Sequence, residues 1–218
     1  MDMLYEKLLK YLQREDKEQS LELCMEVLKS GEIEVVELYE EVLTPALNNI
    51  IHENLDEVDN LIWKEHVRSG IIRTIIENSF SFVLKDKIKY NFNHVENVIV
   101  MCPKFEDHDI GARMVSDFFT IAGYNSTFIG ANTPESTILK AIESINPKYI
   151  SMSITNYYNL VATKKTINRI KENSPKITFL LGGYAFNNNP NIYKDIGGDY
   201  LLKSFQDVLN LSREVGSN

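Results

Sequence analysis

The sequence predicts an α/β protein: an all-α bundle over residues 1–90, then a doubly wound parallel sheet over residues 95–218. Three observations carry this. The first ninety residues read as helices, with a helical apolar period over most of their length. The remainder alternates short apolar runs with amphipathic helices, the pattern of repeated βα units. Between them, Lys85 to His94 loses periodicity and gains charge, which reads as a linker.

In chain order, Leu4, Leu8, Leu9, Tyr11 and Leu12 mark a first helix, and Leu21, Cys24, Met25 and Leu28 a second that stops at Ser30-Gly31. A third carries Ile33, Val36, Leu38, Tyr39 and Leu43. Thr44-Pro45 then predicts a fresh helix start, because proline suits the first helical position. A last long helix is expected over 59–82, with Trp63 read as core. Strands follow near 97–101, 125–129, 148–153, 177–181 and 198–202. The alternating helices are expected near 110–122, 134–144, 158–173 and 204–213. The cluster Asn187-Asn188-Asn189-Pro190 reads as a turn.

Composition narrows the function classes. At 218 residues the chain can bury a full core. Apolar runs fall short of the ~20 residues that span a bilayer. The opening residues lack a secretory profile, and two unrelated cysteines build no disulfide framework, so a cytoplasmic setting is expected. Net charge is −8, without a basic patch to displace nucleic-acid counterions, so no direct nucleic-acid binding is expected.

The densest chemistry lies just after the first expected strand, at Glu106, Asp107, His108, Asp109, Ile110 and Gly111. In open parallel sheets, ligands bind at the carboxyl ends of strands. A neutral imidazole ligates a metal through one ring nitrogen while an acceptor, often a carboxylate, holds the N–H of the other. Positions two apart in an extended loop point the same way, so Glu106 can reach His108 while Asp107 points outward. Gly111 lets a bulky ligand pass near the backbone. No other His or Cys stands at zinc spacing, so any metal here is expected to bring its other ligands with a cofactor. Ser151 and Ser153, and then Gly182-Gly183, put small residues at two later strand ends, leaving a slot along the sheet edge.

This set resembles the cobalamin-binding domain of methionine synthase, corrinoid methyl carriers, base-off mutases and light-sensing regulators. The family pattern Asp-x-His-x-x-Gly, Ser-x-Leu and Gly-Gly appears as Glu106-x-His108-x-x-Gly111, Ser151-x-Ser153 and Gly182-Gly183. The resemblance implies a flavodoxin-like fold and cobalamin in its adenosyl, methyl or hydroxo form. It further implies His108 as lower axial ligand to cobalt with the nucleotide base displaced, and Glu106 orienting it. Asp107, Asp109, Ile110, Gly111, Ser151, Ser153, Thr155, Gly182 and Gly183 would surround the cofactor. Two departures stand out: Glu106 where Asp is commoner, and Ser153 where Leu is expected, which makes the base pocket more polar.

The helical part resembles the cap that covers the upper corrin face in carriers and light-sensing regulators. Leu55 and Asp56 occupy the places where adenosylcobalamin photoreceptors carry a tryptophan and a histidine, so a smaller upper ligand or a looser cap is implied. His66 has two readings, an upper-face contact or a partly buried helix-start histidine, and His52 is a further candidate for a sixth ligand. The expected function is a cobalamin-binding sensory or regulatory protein, acting through a protein partner or homo-oligomer. The alternative is a corrinoid protein that shuttles a methyl group between methyltransferases.

Overall fold

The computed structural model describes residues 1–49, 58–91 and 95–215. The chain divides into two compact units, Met1–Lys89 and Tyr90–Asn218.

In the first unit, α1 (Asp2–Gln13) and α2 (Lys17–Ser30) bury Leu8, Leu12, Cys24 and Leu28. The Asp16 side chain caps α2 by accepting from Gln19 N, and Gly31 ends it in the left-handed conformation. The expected break at Thr44-Pro45 is absent. α3 (Val35–Glu37) runs through a π-helical stretch (Leu38–Leu43) directly into α4 (Thr44–Asn49). The wide turn explains why the proline is tolerated. Thr44 N–H bonds five residues back to Tyr39 O, and this register shift moves the preceding turn away from the Pro45 ring, which would clash in a regular α-helix.

α5 (Val58–Tyr90) also outruns its expected end. Residues 85–90, the first part of the stretch read as linker, form its last turns, since Lys and Asp are compatible with helix and tertiary contacts secure them. Val83 and Asp86 are buried, the Asp86 carboxylate accepts from Val35 N at 3.1 Å, and Lys89 pairs with Glu34. Asn91, at φ 50°, ends the helix in a conformation asparagine tolerates better than most residues. Trp63 departs from its expected core role, being 49% exposed.

The second unit is a five-stranded sheet of β1 (Asn97–Met101), β2 (Asn125–Phe128), β3 (Tyr149–Ser153), β4 (Thr178–Gly182) and β5 (Tyr200–Leu202). Every pairing is parallel, in the order β2-β1-β3-β4-β5. The connecting helices are α6 (Ile110–Ile121), α7 (Glu135–Ile145), α8 (Leu160–Asn173) and the short α9 (Ile192–Asp195), with α10 (Phe205–Val215) last. β1 and β3 are central and almost wholly buried, as a sheet covered on both faces requires. Edge strand β2 alternates exposed and half-buried residues instead. One side of the sheet packs Ile99, Met101, Ile150, Met152, Phe179 and Leu181 against Ile138, Ile167 and Ile170 of the helices. This is the flavodoxin-like strand order. Winding reverses between β1 and β3, and the crevice at their carboxyl ends is where such sheets bind ligands.

Candidate functional site

β1 delivers the chain into that crevice at Cys102-Pro103. The loop beyond is braced from its neighbour: Cys102 N donates to Gly130 O, Thr133 N to Cys102 O, and Asn132 N to Glu106 O. Phe105 takes a left-handed conformation (φ 73°), and its N–H donates to Asn132 Oδ1 at 2.8 Å. That reversal turns Glu106 inward, where it is fully buried, while Asp107 and His108 remain at the surface.

The Glu106 carboxylate is the hub. Oε1 lies 2.5 Å from His108 Nδ1 and also accepts from His108 N at 3.3 Å. Oε2 accepts from Thr155 N (3.0 Å), Asn156 N (2.8 Å) and Asn159 Nδ2 (3.0 Å). Burial opposes the charge, but the hydrogen bonds from His108, Asn156, Asn159 and Thr155 outweigh it and bring the carboxyl down to about 2. An ionised Glu106 can only accept, so Nδ1 of a neutral His108 is the protonated nitrogen and Nε2 bears the lone pair. The His108 side chain is 61% exposed. The longer glutamate therefore closes onto the ring without loss of contact.

Around this pair, Asp109 and Ile110 begin α6 with buried side chains, Asp109 bound to Arg113 Nε at 2.9 Å. A Cβ added to Gly111 would sit 3.6 Å from Ser153 Oγ, so these two face each other. Ser151 and Ser153 are buried in β3, and Ser153 pairs with Gly182. The glycine pair has a packing reason of its own. A Cβ on Gly183 (φ +105°) would fall 2.4 Å from Ile154 O, and one on Gly182 would fall 2.8 Å from Leu202 O. Glu106 is thus bonded to His108 and Thr155, and Gly111, Ser153, Gly182 and Gly183 lie at the carboxyl ends of the neighbouring strands, Ser153 paired with Gly182 and facing Gly111.

Cys102 donates to His108 O at 3.4 Å, and its thiol is pushed up to about 12 by burial and by the nearby Glu106 and Asp109 carboxylates. It is structural. His66, in the first unit, is exposed (side chain 73%), with Nε2 3.7 Å from Glu65, which removes the partly buried reading. Leu55, Asp56 and His52 lie outside the described residues. Sequence reasoning missed Asn132, Asn156 and Asn159. They reach the motif from loops distant in the chain, and no local spacing announces them.

The donor set suits a corrinoid. Among the described residues no group of three or more His, Cys, Asp or Glu could hold a metal ion. One oriented imidazole is nonetheless sufficient for a metal whose equatorial ligands come with a macrocycle.

A family model described as B12 binding domain matches residues 96–207. The chain belongs to that family. Cobalamin is accordingly its class of cofactor. Over 80 residues this B12-binding chain is 30% identical to the methanol–corrinoid protein of Methanosarcina barkeri (strain Fusaro / DSM 804). That match covers 37% of this chain and 31% of the relative, so it spans under a third of the relative's length. Among solved structures, the Methanosarcina barkeri monomethylamine corrinoid protein superposes with a TM-score of 0.78 at 16% identity, covering 98% of this chain and 99% of that one. The methanol:cobalamin methyltransferase complex from Methanosarcina barkeri gives 0.50 at 18% identity, covering 100% and 81%. At such identities the structural likeness establishes the fold alone. Among the described residues, no helix is long and apolar enough to cross a membrane.

Proposed function

We propose that this B12-binding chain is a corrinoid protein that carries a methyl group between methyltransferase partners, holding cobalamin base-off above His108. The observation that carries the reading is the 2.5 Å contact between Glu106 and His108 at the β1/β3 switch point, with the ring exposed. The corrinoid-protein names of the relatives favour this carrier reading over a sensory or light-responsive one.

When bound, the corrinoid supplies a cobalt able to take up and release a methyl group; the protein sets its coordination. Glu106 holds the proton at His108 Nδ1, which leaves the Nε2 lone pair for the metal and raises its basicity. Gly111, Ser151, Ser153, Gly182 and Gly183 would line the slot for the displaced nucleotide tail. Ser153 offers that slot a hydroxyl where the family's Leu would offer a methyl surface. Asp109, through Arg113, and Ile110, through the core, hold the first turn of α6 and so the position of Gly111.

Titration of the purified protein with hydroxocobalamin tests the reading. The absorption spectrum should change to that of a base-off, imidazole-ligated form, and His108→Ala should bind with a different spectrum. An unchanged spectrum in His108→Ala refutes the axial assignment. Methyl transfer to the reduced, loaded protein by a corrinoid methyltransferase supports the carrier. Light-induced change in the assembly of the adenosyl-loaded protein would support the regulator instead.

A further inference from the structure

We infer that Ser153 is a specificity-determining residue: it makes the slot prefer a cobamide whose lower base carries a ring hydroxyl over one whose base carries only methyl groups. This inference rests on the nucleotide-tail slot proposed for Ser153 and its neighbours, and names the tail that slot selects.

The pleat of β3 aims the hydroxyl. Successive strand residues point to opposite faces of a sheet. Ile150, Met152 and Ile154 pack into the core on one side, so Ser151 and Ser153 face the other, where α6 lies. Both serines are buried. Ser151 stands deeper, paired with Val100 on one side and Leu180 on the other. Ser153 stands at the rim. Gly182 is paired with it on β4, and Gly111 faces it from α6, where an added Cβ would lie 3.6 Å from the Ser153 Oγ. Neither of these neighbours has a side chain, so the hydroxyl projects beside bare backbone.

The hydroxyl is also uncommitted. A helical serine or threonine can bond the carbonyl one turn back, as buried Ser20, Ser79 and Thr163 do. A strand offers no such carbonyl. Among the described residues, no protein group hydrogen-bonds the Ser151 or Ser153 side chain, and neither oxygen is sealed from solvent. A hydroxyl that leaves water without gaining a partner is costly, and one that meets a hydrogen-bonding group is not. Filling the slot takes Ser153 out of water. A base edge bearing only methyl groups then strands its hydroxyl, whereas a ring hydroxyl satisfies it. Leucine at this place would reverse the order by presenting methyl groups to methyl groups. Discrimination therefore comes from the penalty set against the wrong base as much as from the bond made to the right one.

The probes are hydroxybenzimidazolyl cobamide and methylbenzimidazolyl cobamide, which differ by one ring substituent of nearly equal size. Each is titrated into the full chain, and its dissociation constant is read by calorimetry. The wild type should bind the hydroxylated cobamide about 10-fold tighter, the scale of one hydrogen bond. Ser153→Ala should bring the two constants together, and Ser153→Leu should favour the methylated cobamide. Cobinamide, which lacks the lower base, should bind the wild type and both variants alike. Equal constants in the wild type, or a preference that survives both substitutions, overturns the inference. A change in cobinamide binding as large as the change in preference overturns it too, because Ser153 would then act on something other than the base. The absorption spectrum of the loaded wild type judges the axial role of His108 separately: absence of imidazole ligation refutes that role, and the ratio of constants still decides for or against Ser153.

Discussion

Glu106→Gln isolates the charge of the hub while preserving its shape. In the wild type, one carboxylate oxygen serves His108 and the other serves three N–H groups. Glutamine has a single oxygen. If that oxygen stays with the three donors, its NH₂ faces His108, and the imidazole must accept at Nδ1 and carry its proton on Nε2. The lone pair is then withdrawn from any ligand above the ring. The energetic scale follows from the carboxyl, held at about 2 against an ordinary 4.5, a difference worth roughly 3 kcal/mol of folding free energy. Because the folded-state value lies below the unfolded one, this contribution is complete above pH 4.5 and is lost as pH falls toward about 2. Urea denaturation of the cofactor-free protein at stepped pH should show Glu106→Gln less stable by roughly 3 kcal/mol at neutral pH, with the difference shrinking through that window. A variant within about 0.5 kcal/mol of wild type at neutral pH, or one whose deficit persists below the window, refutes the reasoning.

Gly183→Ala should destabilise the sheet unit by roughly 3 kcal/mol, combining a backbone conformation reserved for glycine with a clash against Ile154, as read by the shift in urea midpoint. In the first unit, Asp86→Ala leaves buried Val35 N–H without its acceptor and should cost about 1–3 kcal/mol. Asp86→Asn keeps an acceptor and should cost less, since burial chiefly raises the Asp86 carboxyl; equal losses would refute the hydrogen-bond account. Burial pushes the Cys24 and Cys102 thiols up to about 12, so neither should react with a thiol reagent in native protein, and both should in urea.

The chain itself announced the alternation of elements in the second unit, because buried parallel strands need unbroken apolar runs and their covering helices need one apolar face. Its motif residues could be listed from order and spacing, and the family assignment rests on that same stretch. Helix ends were less legible. Lys85 to Tyr90 look like linker by charge, yet Asp86 and Val83 are secured by packing partners elsewhere in the chain. Thr44-Pro45 looks like a start signal, yet a π-helical turn absorbs the proline.

What only tertiary structure decided is how Glu106 is held. Residues 155, 156 and 159 follow a different strand, about fifty positions away, and meet the carboxylate because β1 and β3 are hydrogen-bonded neighbours. Local sequence encodes which groups exist and roughly what backbone carries them. Strand pairing and burial decide which of them meet, and therefore which carboxylate stays charged and which imidazole nitrogen keeps its lone pair.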